Sequence, residues 1–126
     1  MKIGDFMPHT VVVLERDPIL ARSIAGELRA HFSVHVTRTR EELRDHVVRN
    51  RPKAVVLNIE ASKLTEVATL HQDFPEIPIV CTHRVPDEEM WMAALDAGAS
   101  DVCPADDVGN VLISVLRNTA LSRAAA

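Results

Sequence analysis

Glycine is scarce in this chain, four in 126 residues, and no two of them stand close enough to build a phosphate loop. Dinucleotide and P-loop fingerprints need glycines at fixed spacing so that the backbone can approach phosphate. A nucleophile elbow needs them around its serine. None of these patterns is present, and no cofactor is expected. The two cysteines, Cys81 and Cys103, form no Cys-x-x-Cys pair. Of six histidines only His31 and His35 lie four apart. They straddle an expected helix end and the following strand, so no metal site is expected. No apolar run approaches the roughly 18 residues of a membrane span. The opening residues Met1 to Asp5 lack the apolar segment of a signal peptide. A cytoplasmic location is therefore expected, with both cysteines reduced and buried. The net charge is −4 and the basic residues are scattered, which argues against a nucleic-acid surface.

What is present is ordinary for one globular domain: 47% hydrophobic and 25% charged residues. Residues 1–9 read as a leader. Thr10–Glu15 (TVVVLE) and Ala54–Glu60 (AVVLNIE) are apolar on both faces, as buried strands of a parallel sheet are. Ser33–Thr37 alternates, as a strand nearer the sheet edge does. Ile77–Thr82 and Asp101–Cys103 read as two more strands.

Helical signals fill the gaps. Asp17-Pro18 pairs an N-cap with a proline at the first helical position, and Leu20, Ile24 and Leu28 follow at four-residue spacing, giving a helix to about His31. Thr39 to Glu42 is a capping box ahead of Leu43 and Val47. Ser62 is expected to cap a third helix carrying Leu64, Val67 and Ala68. Val85-Pro86-Asp87 opens a fourth, with Met92 and Leu95 facing the core and Gly98 as its C-cap. Asp106 or Asp107 caps the last, whose stripe is Val108, Val111, Leu112, Val115 and Leu116. That helix should end near Asn118, leaving residues 119–126 as a tail. Five strands alternating with five helices predict an α/β domain with a parallel sheet. Ligands of such sheets sit at the carboxyl ends of the strands, where the third strand places Asn58.

From Thr10 to about Asn118 the chain resembles the receiver domain of two-component response regulators. The resemblance rests on element order, on Glu15-Arg16-Asp17-Pro18 after the first strand, on a polar residue ending the third, and on Ala97-Gly98-Ala99-Ser100-Asp101 before the fifth. It implies a flavodoxin-like (βα)5 doubly wound parallel sheet in strand order 2-1-3-4-5, with residues 10–118 as the receiver-like domain. A working receiver carries two acids after strand one for Mg²⁺, an Asp phosphoacceptor ending strand three, a Ser or Thr ending strand four, and a Lys after strand five. Metal and Lys offset negative charge while phosphate passes to the carboxylate.

Most of those positions are degenerate here. Glu15 keeps the first acid and Arg16 replaces the second with a permanent cation. Asp17 survives, with helix capping enough to explain it. Asn58 stands at the phosphoacceptor position. Thr82 matches the hydroxyl by strand pattern, whereas counting back from Gly98 selects His83. Ala105 falls at the lysine, Asp106 at the proline that normally follows, and Val102 at the switch aromatic. The resemblance then implies a pseudo-receiver: no enzyme, no metal, and a protein–protein interaction module of signal transduction.

Several readings stay open at this point. Arg16 could neutralise Glu15, Asp17 or Glu60 inside the vacated pocket, or those acids could gather a cation. Cys81 and Cys103 end neighbouring strands in the implied order, so a disulfide is conceivable beside the reduced state. His83 could sense pH or simply occupy a loop. Trp91 is either a flank of the core or an exposed anchor on the helix 4–strand 5–helix 5 face, which with Val102 would bind a signalling partner or a second copy. The alternatives are a phosphorylatable switch with an unusual acidic pocket, and a small-ligand domain on a flavodoxin-like fold.

Overall fold

Strands whose residues are apolar on alternate sides of the pleat must be covered on both faces, and helices cover both here. The computed structural model describes residues 9–125, with side chains through Ala120; the leader expected over residues 1–9 lies almost wholly outside them. The order is β1 (Thr10–Leu14), α1 (Pro18–Leu28), β2 (Ser33–Thr37), α2 (Arg40–Asn50), β3 (Ala54–Asn58), α3 (Leu64–Asp73), β4 (Ile79–His83), α4 (Glu88–Ala97), β5 (Asp101–Pro104) and α5 (Val108–Ala125). All strand pairs are parallel, in the order β2-β1-β3-β4-β5. This is the flavodoxin-like sheet, and β3 at its centre is buried along its whole length.

The pleat sorts the core into two layers. Val11, Val13, Val56 and Val80 meet Ile24 and Leu28 of α1 and Val111 and Val115 of α5. Val12, Leu14, Val55, Leu57 and Ile79 meet Leu43 and Val47 of α2, Val67 and Leu70 of α3, and Ala94 of α4. Helix starts follow their caps. The Asp17 carboxylate accepts from the N–H groups of Ile19 and Leu20, the Thr39 hydroxyl from Glu42, and Asp87 from Met90. Asp107 does the same for Asn110, so it, and not Asp106, holds the start of α5.

Three details differ from the sequence reading. Met92 and Leu95 are exposed; α4 instead turns Met90, Ala94 and Ala97 inward. The small alanines let the helix approach the sheet closely, and the larger residues are left outside. Ser62 does not cap α3: its N–H and that of Ala61 bond to the Asn58 carbonyl, and Lys63 occupies the N-cap without a side-chain bond. Finally, α5 continues through residues 118 and 119 to Ala125. Thr119 is buried, its hydroxyl returned to the Val115 and Leu116 carbonyls, so no helix end falls there. Among the described residues no helix is long and apolar enough to cross a membrane.

Candidate functional site

The sheet register assembles the site. Leu14 is paired with Leu57, Asn58 with Thr82 and Thr82 with Cys103, so Glu15, Asn58, Thr82 and Cys103 form one row across the carboxyl ends of β1, β3, β4 and β5. The register thus places Thr82, not His83, beside Asn58. Glu15, Asn58 and Thr82 are all buried, as is Ala105 just beyond β5.

Every polar atom of Asn58 is engaged. Its Nδ2 donates to Glu15 Oε1 at 2.7 Å. Its Oδ1 accepts from the Glu60 N–H at 2.7 Å and the Ala61 N–H at 3.3 Å. The other Glu15 oxygen accepts from the Asp17 N–H at 3.1 Å, while the Asp17 carboxylate is spent on the first turn of α1. A charge-assisted bond of this kind is worth about 1.5–3 kcal/mol when buried. The amide therefore fills the position where a second carboxylate would repel Glu15.

Arg16 does not enter the pocket. It is exposed, its Nε donates to the Arg38 carbonyl at 3.3 Å, and it forms no ion pair with Glu15, Asp17 or Glu60 among the described residues. The expected internal pairing is thus replaced by the Glu15–Asn58 bond, which takes the carboxylate Arg16 would have sought. Glu60 turns the other way, accepting from the Arg84 N–H at 2.8 Å. Magnesium needs several oxygen ligands in near-octahedral array, and this donor set does not fit it: one carboxylate is bonded to an amide, the other caps a helix. No cluster of three or more His, Cys, Asp or Glu among the described residues could hold a metal.

The remaining positions are inert in the same sense. Ala105, buried just beyond β5, brings only a methyl to this end of the sheet, its N–H held by the His83 carbonyl at 2.9 Å. The Thr82 hydroxyl is buried with no hydrogen-bond partner among the described residues. His83 Nδ1 accepts from the Val85 N–H at 3.1 Å, which fixes a loop. Cys81 and Cys103 are free, and their one-residue offset in register puts them on opposite faces of the sheet, where no bridge can form. Burial pushes the Cys81 thiol up to about 12 and Cys103 up to about 11, with the Asp101 carboxylate adding to both.

Away from this row, Trp91 is 49% exposed and Met92 58% exposed on α4, with Leu95 beside them. Val102 is half-buried against the layer that contains Ala94.

A comparison with protein-family models and with curated proteins finds no match. Solved structures do match. A CheY-like receiver domain protein from Methanospirillum hungatei superposes with a TM-score of 0.84 at 12% identity, covering 94% of this chain and 99% of the other. The chain has the receiver fold. A response regulator from Thermotoga maritima gives 0.82 at 18% identity, over 91% of this chain and 99% of the other. An atypical orphan response regulator, described as having a phosphorylation-independent regulatory mechanism, gives 0.79 at 17%, over 88% and 95%. At such identities the likeness is one of fold. On this fold the row Glu15–Asn58–Thr82 occupies the carboxyl ends of the strands, with an amide at the end of β3.

The sequence reading missed the Glu15–Asn58 bond. The signal existed: an acid ending strand one and an amide ending strand three become neighbours in the order 2-1-3.

Proposed function

We propose that this chain is a receiver-fold interaction module of signal transduction that works without phosphotransfer. The observation that carries the reading is Asn58, neutral and buried, with its amide nitrogen on Glu15 and its oxygen on two backbone N–H groups. It offers no nucleophilic carboxylate. Ala105 supports the same reading, because it brings no cation to the end of β5 that could stabilise a transferred phosphoryl group. The module has no catalytic activity of its own and acts in the cytoplasm.

Its contact surface is α4 with β5 and α5, centred on Trp91 and bordered by Val102. An exposed tryptophan beside Met92 and Leu95 is the residue type that dominates interface energetics. Truncating a central interface tryptophan costs about 2 kcal/mol or more, roughly thirtyfold in affinity. The test is Trp91→Ala, compared with the native protein by thermal melting and by pull-down from its native extract. Loss of a specific co-purifying protein with an unchanged melting curve is expected. Unchanged capture would remove α4 from the interface.

A further inference from the structure

We propose that this protein associates head to tail, the acidic outer stripe of α4 on one copy seating in a basic groove between α1 and β2 on the next. The inference rests on the reading of α4 as a contact surface and names what that surface meets.

The groove, about 380 Å³, is lined by Arg22 of α1, Arg29 at its C-cap and Arg38 just after β2, over a floor of Pro18, Ala21, Ala25 and Val36. Glu15 also lines it, but it is buried and both its oxygens are bonded, to Asn58 and to the Asp17 N–H. Arg22, Arg29 and Arg38 are exposed and form no ion pair among the described residues. Val36 leaves more than a third of its surface uncovered. Across the molecule, Glu89, Met92, Ala93 and Asp96 line a depression on α4 together with Asp87 and Glu88. Glu88, Glu89 and Asp96 likewise have no cationic partner among the described residues. One surface is thus basic with an apolar floor, and the other is acidic with an exposed apolar side chain.

The spacings agree as well as the signs. Arg29, the C-cap of α1, follows Arg22 by seven residues and keeps helical backbone angles, with Ala25 between them. Glu89 and Asp96 are seven apart on α4, with Met92 and Ala93 between them. At 1.5 Å per residue each pair spans about 10.5 Å. Two carboxylates can therefore meet two guanidiniums while Met92 enters the floor between Ala25 and Val36.

Charge also selects against the symmetric arrangements. Groove on groove would face arginine with arginine, and stripe on stripe would face acid with acid. A two-fold pair making both groove–stripe contacts at once is disfavoured by their placement, because the groove lies at the β2 edge on the α1 layer and the stripe at the β5 edge on the opposite layer. The contact is therefore heterologous and propagates into a ring or an open chain. A second copy is the occupant favoured, because both complementary halves stand on the same chain.

The test is sedimentation velocity at low ionic strength on the native protein and two variants. Arg22→Glu/Arg29→Glu disables the groove and leaves the stripe. Glu89→Gln/Asp96→Asn disables the stripe and leaves the groove. All four residues are exposed, and unchanged melting curves check that the variants fold. The native protein should form concentration-dependent species larger than a dimer, lost in about 1 M salt, where the Debye length falls to roughly 3 Å. Each variant alone should be monomeric, and a mixture of the two should give a 1:1 dimer and nothing larger, since one live stripe meets one live groove. A native protein that stays monomeric overturns the inference, and so does a mixture without dimer. Association that survives the groove variant but not the stripe variant also overturns it. That last result would still leave α4 as a contact surface, which the Trp91→Ala pull-down tests separately.

Discussion

Asn58 donates to one oxygen of Glu15 and accepts two backbone N–H groups, so an aspartate there would turn a 2.7 Å bond into a carboxylate pair. We expect Asn58→Asp to lose about 1–3 kcal/mol of stability at neutral pH, through a lost buried bond and like-charge repulsion. Urea unfolding of the two proteins measures this. An unchanged midpoint would mean that the amide is not holding Glu15. The thiols give a second expectation. Burial raises Cys81 to about 12 and Cys103 to about 11, so both stay protonated at neutral pH. Iodoacetamide should leave the folded protein unlabelled and label both cysteines in denaturant. The sign for stability follows, since the folded state keeps protons that the unfolded chain releases near 9. Stability is held below that pH and falls as pH rises toward 11–12. The placement of Asn58 and Ala105 at the carboxyl end of the sheet was legible in the sequence, but the destination of the Arg16 side chain was not. A cation next to acids in sequence suggests an ion pair, yet the better-placed amide across the sheet had already taken Glu15.

Among the elements, α4 shows how a helical pattern can mislead by size. The sequence offers Met92 and Leu95 as the obvious apolar pair, while the buried residue is Ala94, with Met90 and Ala97 partly buried against the core. Alanine is a weak signal in any pattern weighted by hydrophobicity, although it is the residue that permits close helix–sheet approach. The end of α4 was plainly legible. Gly98 sits at φ 117° and its N–H returns to the Ala94 and Leu95 carbonyls. A β-carbon there would lie 2.5 Å from the His71 ring. Gly98→Ala should therefore cost about 1–3 kcal/mol, the usual range for a strained backbone position, with a further loss from the contact. Adding His71→Ala should recover only the part owed to the ring, since the His71 β-carbon, 2.7 Å away, remains. Full recovery in the double variant would show that the left-handed conformation itself costs little. The last helix was misjudged in length because Asn118 and Thr119 are poor helix formers; the burial of Thr119 and its bonds back to the preceding turn outweigh that preference.

For the whole molecule, a parallel sheet covered on both faces follows from runs such as TVVVL and AVVLN, which tolerate water on neither face. Those runs made the parallel sheet readable, whereas the strand order 2-1-3-4-5 came from the resemblance carried by Glu15–Pro18 and Ala97–Asp101. Surfaces were less readable, because the α1–β2 groove joins residues from two elements whose separation only the fold removes. What the receiver fold does in this chain turns on the acceptor position. The measurement that tests it most directly is the intact mass of the native protein after incubation with Mg²⁺ and acetyl phosphate. The unmodified mass is expected, with the same result for Asn58→Asp, where Arg16 and Ala105 remain unsuited to the reaction. A stoichiometric phosphoryl adduct on the native protein would contradict that expectation.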